Sequence, residues 1–321
     1  MKIRMLNEPL SNNLVLKRRT GEFIFSVLRW ALIIGLLYLF LFPILYMLLT
    51  AFQSVDSASD PTVVWIPRSI SLDGIKGALK YLNYWKSISE TLIITIGSTL
   101  AMLVSCSMAG YGLARYRFKG RNLSLALAIL IIVIPPQLLY PSTYVIYRFF
   151  DFSGFLSLFG VSFNLLNTPW TFILPSIFGV GLRGGLFIYL FCQFFSGLPK
   201  ELEESAKLDG CGHFRTFVNI MAPLAKPAFV TVILFSMVWH WSDYYSASTY
   251  YNGELKPLVV MLSKLASILR TDGVLATGES VFSIRMYLQA GAMLTIAPPM
   301  LVYIFAQRQF VESIERTGLV G

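Results

Sequence analysis

Six long apolar stretches recur along the chain and are separated by shorter polar segments. They run approximately over Trp30–Phe52, Thr91–Ala114, Leu123–Tyr147, Trp170–Phe195, Pro227–Ser248 and Met286–Ala306. A bilayer core about 30 Å thick needs roughly 20 apolar residues in helical form, because no water is present there to satisfy unpaired backbone groups. The pattern therefore predicts an all-α membrane protein with six transmembrane helices, an amino-terminal segment 1–29 and a carboxyl-terminal tail 307–321.

The composition and the charge distribution agree with a membrane protein. Apolar residues make up 55% of the chain, the mean hydropathy is +0.65 and charged residues are 13%, against about 25% in soluble proteins. With six spans, sixteen Lys and Arg residues lie on the side of the two termini and eight on the other side. This asymmetry predicts that both termini are cytoplasmic. The net charge of +9 then belongs to loops beside anionic lipid, and nucleic-acid binding is not expected.

Few residues in the chain are suited to metal binding or to nucleophilic catalysis. The three cysteines, Cys106, Cys192 and Cys211, are an odd number and lie far apart, which gives no disulfide framework. The two histidines, His213 and His240, belong to no metal-binding motif. We therefore expect no metal site, and a membrane-embedded enzyme is an unfavoured alternative.

Helix-breaking residues interrupt several of the predicted spans. Pro135, Pro136 and Pro141 lie in the third span, Pro175 with four glycines in the fourth, and the pair 298–299 in the sixth. Proline inside a helix removes a backbone donor and bends the helix, which is tolerated where neighbours or water bind the freed carbonyls. Bent helices of an inert bundle would explain any one site. Three bent spans together favour a pathway that moves.

The connection between the fourth and fifth spans, residues 196–226, is predicted to contain two short helices. The first, from about Pro199 to Asp209, begins with acidic residues that suit the positive end of a helix. Gly210 suits a left-handed stop. The second helix is predicted from about His213 to Ile220, with apolar residues on one face.

This connection resembles a known family. Glu204-Ser205-Ala206, three residues, Gly210, nine residues and then Ile220-Met-Ala-Pro223 match the signature E-A-A-x3-G-x9-I-x-L-P of the membrane subunits of binding-protein-dependent ABC importers. Ser205 replaces an alanine and Ala222 a leucine. Further similarity, including the basic segment 109–122, extends over nearly the whole chain towards the sugar-uptake branch and its maltose-type second permease.

The resemblance implies a six-span permease domain over 30–306 in a bacterial plasma membrane. It implies a second homologous permease, two copies of a cytoplasmic ABC ATPase and an extracytoplasmic solute-binding protein as partners. The ATPase would bind ATP and Mg²⁺, since this chain lacks a G-x-x-x-x-G-K-[ST] loop and is not expected to be an enzyme or to bind a cofactor. The residues implied in coupling to the ATPase are Glu201, Glu203, Glu204, Ser205, Ala206, Asp209 and Gly210, with Thr317, Gly318 and Gly321 contacting it from the tail.

Four residues are candidates for the translocation pathway. Trp239, Asp243 and Tyr244 belong to an aromatic and polar run in the fifth span, although an aromatic belt at the membrane surface would also explain the rings. A carboxylate at membrane depth is costly, so Asp243 should face the pathway or pair with the partner permease. Three alternatives are open for Arg183 in the fourth span: it contacts substrate, it pairs with Asp243, or it marks an interruption of its helix.

Two rival functions remain open. A secondary transporter driven by an ion gradient would need intramembrane carboxylates and an inverted repeat, whereas the sequence offers Asp243 and no clear repeat. An ABC importer for an amino acid, a peptide or an ion would share every feature of residues 196–226, the coupling segment. The expectation of a sugar rests on the resemblance.

Overall fold

The computed structural model describes residues 12–60, 67–151, 163–253, 256–271 and 281–318. Within these ranges the backbone is helical, and the extended pairing consists of two isolated bridges, Gln53 with Ile70 and Phe150 with Phe163. The all-α class is therefore confirmed for the described residues.

The described residues form fifteen α-helices. Those of the first half are α1 (Asn12–Ala51), α2 (Val55–Ser59), α3 (Asp73–Tyr81), α4 (Tyr84–Arg115), α5 (Arg121–Val133) and α6 (Tyr140–Arg148). Those of the second half are α7 (Trp170–Ile177), α8 (Gly184–Gly197), α9 (Glu201–Leu208), α10 (His213–Thr216), α11 (Ala222–Leu224), α12 (Lys226–Ser242), α13 (Tyr244–Tyr250), α14 (Leu258–Thr271) and α15 (Val281–Gly318).

Among the described residues, three uninterrupted helical segments are long and apolar enough to cross a membrane. They are Glu22–Ala51 in α1, Tyr84–Arg115, which is the whole of α4, and Ser283–Gln307 in α15. A fourth span exists if the bent pair His213–Leu224 and Lys226–Ser242 is counted as one. The structure thus supports three or four spans by helix length, while the predicted number of six remains a prediction.

Helix breaks account for the difference. The predicted third span is divided into α5, a 3-10 turn at Pro136–Leu138 and α6. The fourth is divided into α7 and α8, and the fifth into α12 and α13 at Asp243. The sixth differs from expectation, because α15 continues through Pro298 and Pro299.

Helix α4 packs against α7, α8 and α12. Between α4, α8 and α12 lies an apolar cluster built around Met102, Phe187, Phe191 and Val232. At Gly110 a Cβ atom would lie 2.5 Å from Cβ of Phe191, so this glycine permits the close approach of α4 and α8. In contrast, the most apolar part of α1 buries none of its residues within the chain, as expected of a helix facing lipid or another subunit.

Candidate functional site

Helix α9 lies close to its predicted position. It spans Glu201–Leu208, inside the predicted Pro199–Asp209, and its first turn carries Glu201, Glu203 and Glu204. The described contacts include no side-chain hydrogen bond that caps the helix start. Negative side chains therefore stabilise the free amide groups through the helix dipole.

Gly210 ends α9 as predicted. Its φ of +77° is left-handed. Cys211 N donates to Ala206 O at 2.9 Å, and Gly210 N donates to Lys207 O at 3.0 Å. These two bonds form a Schellman motif, which satisfies carbonyls at the end of the helix. The segment that follows therefore leaves α9 in a fixed direction.

The coupling residues proposed from the sequence divide between two faces of α9. Ala206 is buried with 2% exposure, and the Glu203 carboxylate points towards the chain's own body, where Oε1 lies 3.3 Å from Arg115 Nε. The residues exposed on the opposite side are Glu201, Glu204, Ser205 and Asp209. The outward face is thus acidic and polar.

The chain after α9 differs in part from expectation. The predicted helix from His213 to Ile220 is α10 followed by a π-helical turn at Phe217–Met221. Phe217 is buried, but Phe214 has 69% of its surface exposed, so the predicted apolar face does not point in one direction. Together with Leu208, which is 89% exposed, Phe214 adds an apolar component to the outward surface of this segment. A π-helix changes the angular spacing of the residues within it, and the sequence pattern did not predict this turn.

A cavity of about 160 Å³ lies where the third, fourth and fifth predicted spans are broken. Its wall includes Arg183 and Asp243 from the predicted pathway set. It also includes hydroxyl side chains that the sequence analysis did not single out, namely Tyr140, Thr143, Tyr147, Thr171, Ser246 and Tyr250. The cavity therefore offers rings and hydroxyl groups beside the Asp243 carboxylate, the Arg183 guanidinium and the His240 imidazole.

Arg183 marks the interruption of its helix, which was one of the three alternatives left open. It has a φ of +62° and immediately precedes α8. Its guanidinium lies over the ring of Trp239, 5.3 Å from the centroid, and this ring also stacks on Phe187 and Phe235 at 5.5 and 5.3 Å. Trp239 therefore positions the Arg183 guanidinium through a cation–π contact. The salt bridges recorded for the described residues do not pair Arg183 with Asp243.

Asp243 has two different carboxylate oxygens. Oδ1 accepts a hydrogen bond from Ser246 N at 3.2 Å and caps α13. Oδ2 is buried and has no hydrogen-bond partner among the described residues, and Asp243 lines the cavity. One oxygen thus has a structural role and the other is available to a donor that enters the cavity.

The hydroxyl groups on the cavity wall are already ordered by contacts with one another. The Thr143 and Tyr250 hydroxyls are 2.6 Å apart, and Ser246 Oγ donates to Tyr140 Oη at 3.2 Å. Tyr244, by contrast, is 38% exposed and is not among the cavity residues. Aromatic residues clustered at helix breaks were the available sequence signal, but the pairing across helices was not readable from it.

The carboxyl-terminal residues predicted to contact an ATPase are only partly described. The backbone of α15 is helical through Thr317 and Gly318, and Gly321 lies outside the described residues. Their contact with an ATPase therefore stays a prediction.

A helical membrane protein with broken spans around a cavity that aromatic and hydroxyl side chains help to line, and with an exposed acidic helix between two spans, has the architecture of a permease. Residues 87–316 match the family described as binding-protein-dependent transport system inner membrane component. The chain belongs to this family, which confirms the resemblance found in the sequence.

Similar proteins include sugar permeases. The arabinooligosaccharides transport system permease protein AraQ of Halalkalibacterium halodurans is 28% identical over 322 residues, covering 95% of this chain and 100% of that protein. The diacetylchitobiose uptake system permease protein DasC of Streptomyces coelicolor is 26% identical over 281 residues, covering 87% and 92%. The resemblance to the sugar-uptake branch is therefore confirmed.

The fold is also found in a solved transporter. A crystal structure of a bacterial ABC transporter involved in the import of the acidic polysaccharide alginate aligns with a TM-score of 0.73 at 22% identity, covering 90% of this chain and 98% of that one. This agreement is evidence for the fold of the described residues.

Proposed function

We propose that this chain is one permease subunit of an ATP-driven importer in a bacterial plasma membrane and forms half of a pathway for a sugar or oligosaccharide. The family and the printed functions of the similar proteins support this class of solute. The partners are a second homologous permease, two copies of an ABC ATPase that bind ATP and Mg²⁺, and an extracytoplasmic solute-binding protein. Both termini lie in the cytoplasm, as the charge distribution predicts.

Helix α9 is the proposed contact with the ATPase. The observation that carries this proposal is the exposure of Glu204 on a helix whose far end is fixed by the Schellman motif at Gly210. Glu204 supplies a charge-assisted hydrogen bond to a basic residue of the ATPase. Ser205, Asp209 and Glu201 surround it on the same exposed surface, while Thr317, Gly318 and Gly321 contact the ATPase from the tail.

The cavity is the proposed part of the pathway on this subunit. Sugars present hydroxyl groups to hydrogen-bonding side chains and apolar ring faces to aromatic residues, and the cavity wall holds both kinds of side chain. Asp243 Oδ2 accepts a hydrogen bond from a sugar hydroxyl group, and Arg183 lies at the same cavity beside Trp239. Tyr244 does not line the cavity. It contributes to the pathway only if its exposed side faces the second permease.

The first experiment is purification of this protein from its native membrane in a mild detergent, followed by mass spectrometry of the bound chains. We expect a second permease and an ABC ATPase in the complex. The co-purified binding protein is then screened against arabino-oligosaccharides, diacetylchitobiose and alginate oligosaccharides, with amino acids and peptides as the non-sugar controls. An intact chain that transports without an ATPase would contradict the proposal and favour a transporter driven by an ion gradient.

Charge reversal at Glu204 tests the coupling contact. In Glu204→Arg we expect normal membrane insertion and a loss of uptake of roughly tenfold or more, because a hydrogen bond to a charged group becomes a like-charge contact. The matched control is Lys119→Glu, which reverses an exposed charge in the connection after α4. Uptake at the normal rate in Glu204→Arg would exclude this residue from the coupling contact.

A further inference from the structure

The last residue of α4 contacts the coupling segment through a nearly buried charge. Arg115 Nε lies 3.3 Å from Glu203 Oε1, and the two side chains are 4% and 13% exposed. The atoms are close enough for an ion pair, although they are not aligned for a hydrogen bond. Arg115 Nη2 also donates to Leu198 O at 2.8 Å and to Pro199 O at 3.3 Å. One guanidinium therefore binds α9 and the chain that leads into it.

The burial of this pair distinguishes it from an ordinary surface salt bridge. An exposed ion pair is screened by water and contributes little to structure. Removing one partner of a buried pair leaves a charge without compensation, which is strongly unfavourable. The planar guanidinium also binds several oxygens in a fixed geometry, which a lysine does not reproduce. Arg115 and Glu203 thus favour one orientation of α9 relative to α4.

Aromatic contacts attach the chain on both sides of α9 to the same end of α4. The ring of Tyr111 lies 5.4 Å from Phe195, in the last turn of α8, and 5.0 Å from Phe217, which begins the π-helical turn after α10. The ring of Tyr116 lies 5.4 Å from His213. The end of α8, α9 itself and the residues that follow α9 therefore all contact the last two turns of α4 or Tyr116, the residue after it.

Helix α4 extends from this contact to the opposite end of the bundle without a break. Its 32 residues correspond to about 48 Å. Near its first turn Tyr251 Oη donates to Glu90 Oε1 at 2.6 Å, and Leu258 N donates to Thr91 Oγ1 at 2.8 Å. Burial, the hydrogen bond to Glu90 and the Glu90 charge raise the pKa of Tyr251, so its hydroxyl keeps the proton that it donates. Helix α4 thus links the coupling segment to the connection between α13 and α14.

We propose that Arg115 is a positioning residue of the transport cycle. Through Glu203 and the carbonyl oxygens of Leu198 and Pro199 it holds α9 on the end of α4, so that a displacement of α9 becomes a displacement of α4. Glu203 therefore acts within this chain, and Glu204 acts towards the ATPase. The inference rests on the proposed function, because it assumes that an ATPase displaces α9.

Spin labels on α9 and beside the end of α4 test this positioning directly. Lys207→Cys and Lys119→Cys, both exposed, are labelled in a Cys211→Ser background, and their separation is measured by pulsed electron resonance in the purified complex, with and without ATP and vanadate. With Arg115 in place we expect one narrow distance that nucleotide leaves unchanged. In Arg115→Gln we expect a distribution at least twice as wide that shifts with nucleotide.

Two further variants identify the cause. The glutamine of Glu203→Gln has nearly the same shape as glutamate, and this variant keeps the carbonyl contacts of Arg115. It should therefore widen the distance distribution less than Arg115→Gln does. It also replaces Arg115→Gln as the test variant if Arg115→Gln does not assemble. Arg117→Gln, which removes an exposed charge two residues away, should leave the distance unchanged. The same narrow distance in Arg115→Gln as in the unmodified protein would overturn the inference.

The ATP hydrolysis of the same samples separates this inference from the proposed function. We expect Arg115→Gln to bind the ATPase normally. The binding protein should, however, stimulate ATP hydrolysis at least fivefold less in this variant than in the unmodified complex. A complex without Arg115 that keeps full stimulation would contradict the positioning role while leaving the proposed function intact. If the unmodified protein binds no ATPase, the proposed function fails, and the label distance in the chain alone still tests whether Arg115 holds α9.

Discussion

The two carboxylate oxygens of Asp243 have different roles, since Oδ1 caps α13 and Oδ2 is the oxygen proposed to bind in the cavity. Because asparagine retains an oxygen that caps a helix, Asp243→Asn should preserve α13 while removing the charge from the cavity. Asp243→Ala removes the cap as well and should cost about 1 kcal/mol of stability. We expect reduced uptake in both variants and a lower unfolding temperature only in Asp243→Ala.

Measurements of uptake per assembled complex and of thermal unfolding in the same detergent distinguish the two effects. The Asn and Ala variants control for each other, since they differ in the cap and share the loss of charge. Unchanged uptake in Asp243→Asn would remove this residue from the pathway and leave it a structural cap.

At the scale of residues, the sequence predicts which chemical groups are present better than it predicts which way their side chains point. The acidic run in α9 is evident from the sequence, yet Glu203 points inward and Glu204 outward. The rotation of so short a helix depends on Arg115, which lies far away in the chain, and no local pattern records that contact. For Asp243 the cost of a carboxylate at membrane depth indicated a special role, whereas the cap was not predictable, because it depends on where α12 ends.

The end of α9 provides a test at the scale of the helix. Gly210→Ala places a side chain at a φ of +77°, which costs about 1 kcal/mol through backbone strain alone, because open space surrounds the position. Gly212→Ala is the matched control, since Gly212 has a φ of −70° and equally open surroundings. We expect faster amide hydrogen exchange at Gly210's neighbour Cys211, whose N–H binds Ala206 O, and weaker ATPase binding in Gly210→Ala.

Neither change is expected in Gly212→Ala. Equal exchange rates in the two variants would show that the left-handed turn does not determine how α9 ends. Gly210→Asn should lie between the unmodified protein and Gly210→Ala, because asparagine tolerates left-handed backbone better than alanine does.

The limits of prediction at the scale of helices follow from what interrupts them. The breaks beside Pro135 and around Arg183 agree with the prolines and glycines of the sequence. The break at Asp243 has neither residue type, while Pro298 and Pro299 lie inside a continuous α15. A proline in a helix removes hydrogen bonds but leaves the neighbouring backbone helical if packing holds it. Breaker residues therefore indicate where a helix can end, and tertiary contacts determine whether it does.

At the scale of the whole molecule, the apolar pattern predicted the class and most helix positions but not the contacts between helices. The exposed helix α1 and the partly buried helix α4 both have strongly apolar sequences, since lipid and protein interior favour the same side chains. Hydropathy therefore predicts which segments enter the membrane. It does not predict which of them lie at the centre of the bundle or form the cavity.

The membrane topology is the prediction that decides the orientation of every site described above. Cysteines introduced at Asn122 and Ser263, both exposed, should react with a membrane-impermeant maleimide from opposite sides of the membrane. Two predicted spans precede Asn122, which places it on the side of the amino terminus. Five predicted spans precede Ser263, which places it on the other side. The native Cys211 is the internal reference, since the coupling segment is predicted to be cytoplasmic. Labelling of Asn122→Cys with Cys211 from the inside, and of Ser263→Cys from the outside, fits an ATPase contact at α9. Labelling of all three from one side would contradict the six-span topology and remove α9 from the reach of a cytoplasmic ATPase if that side were the outside.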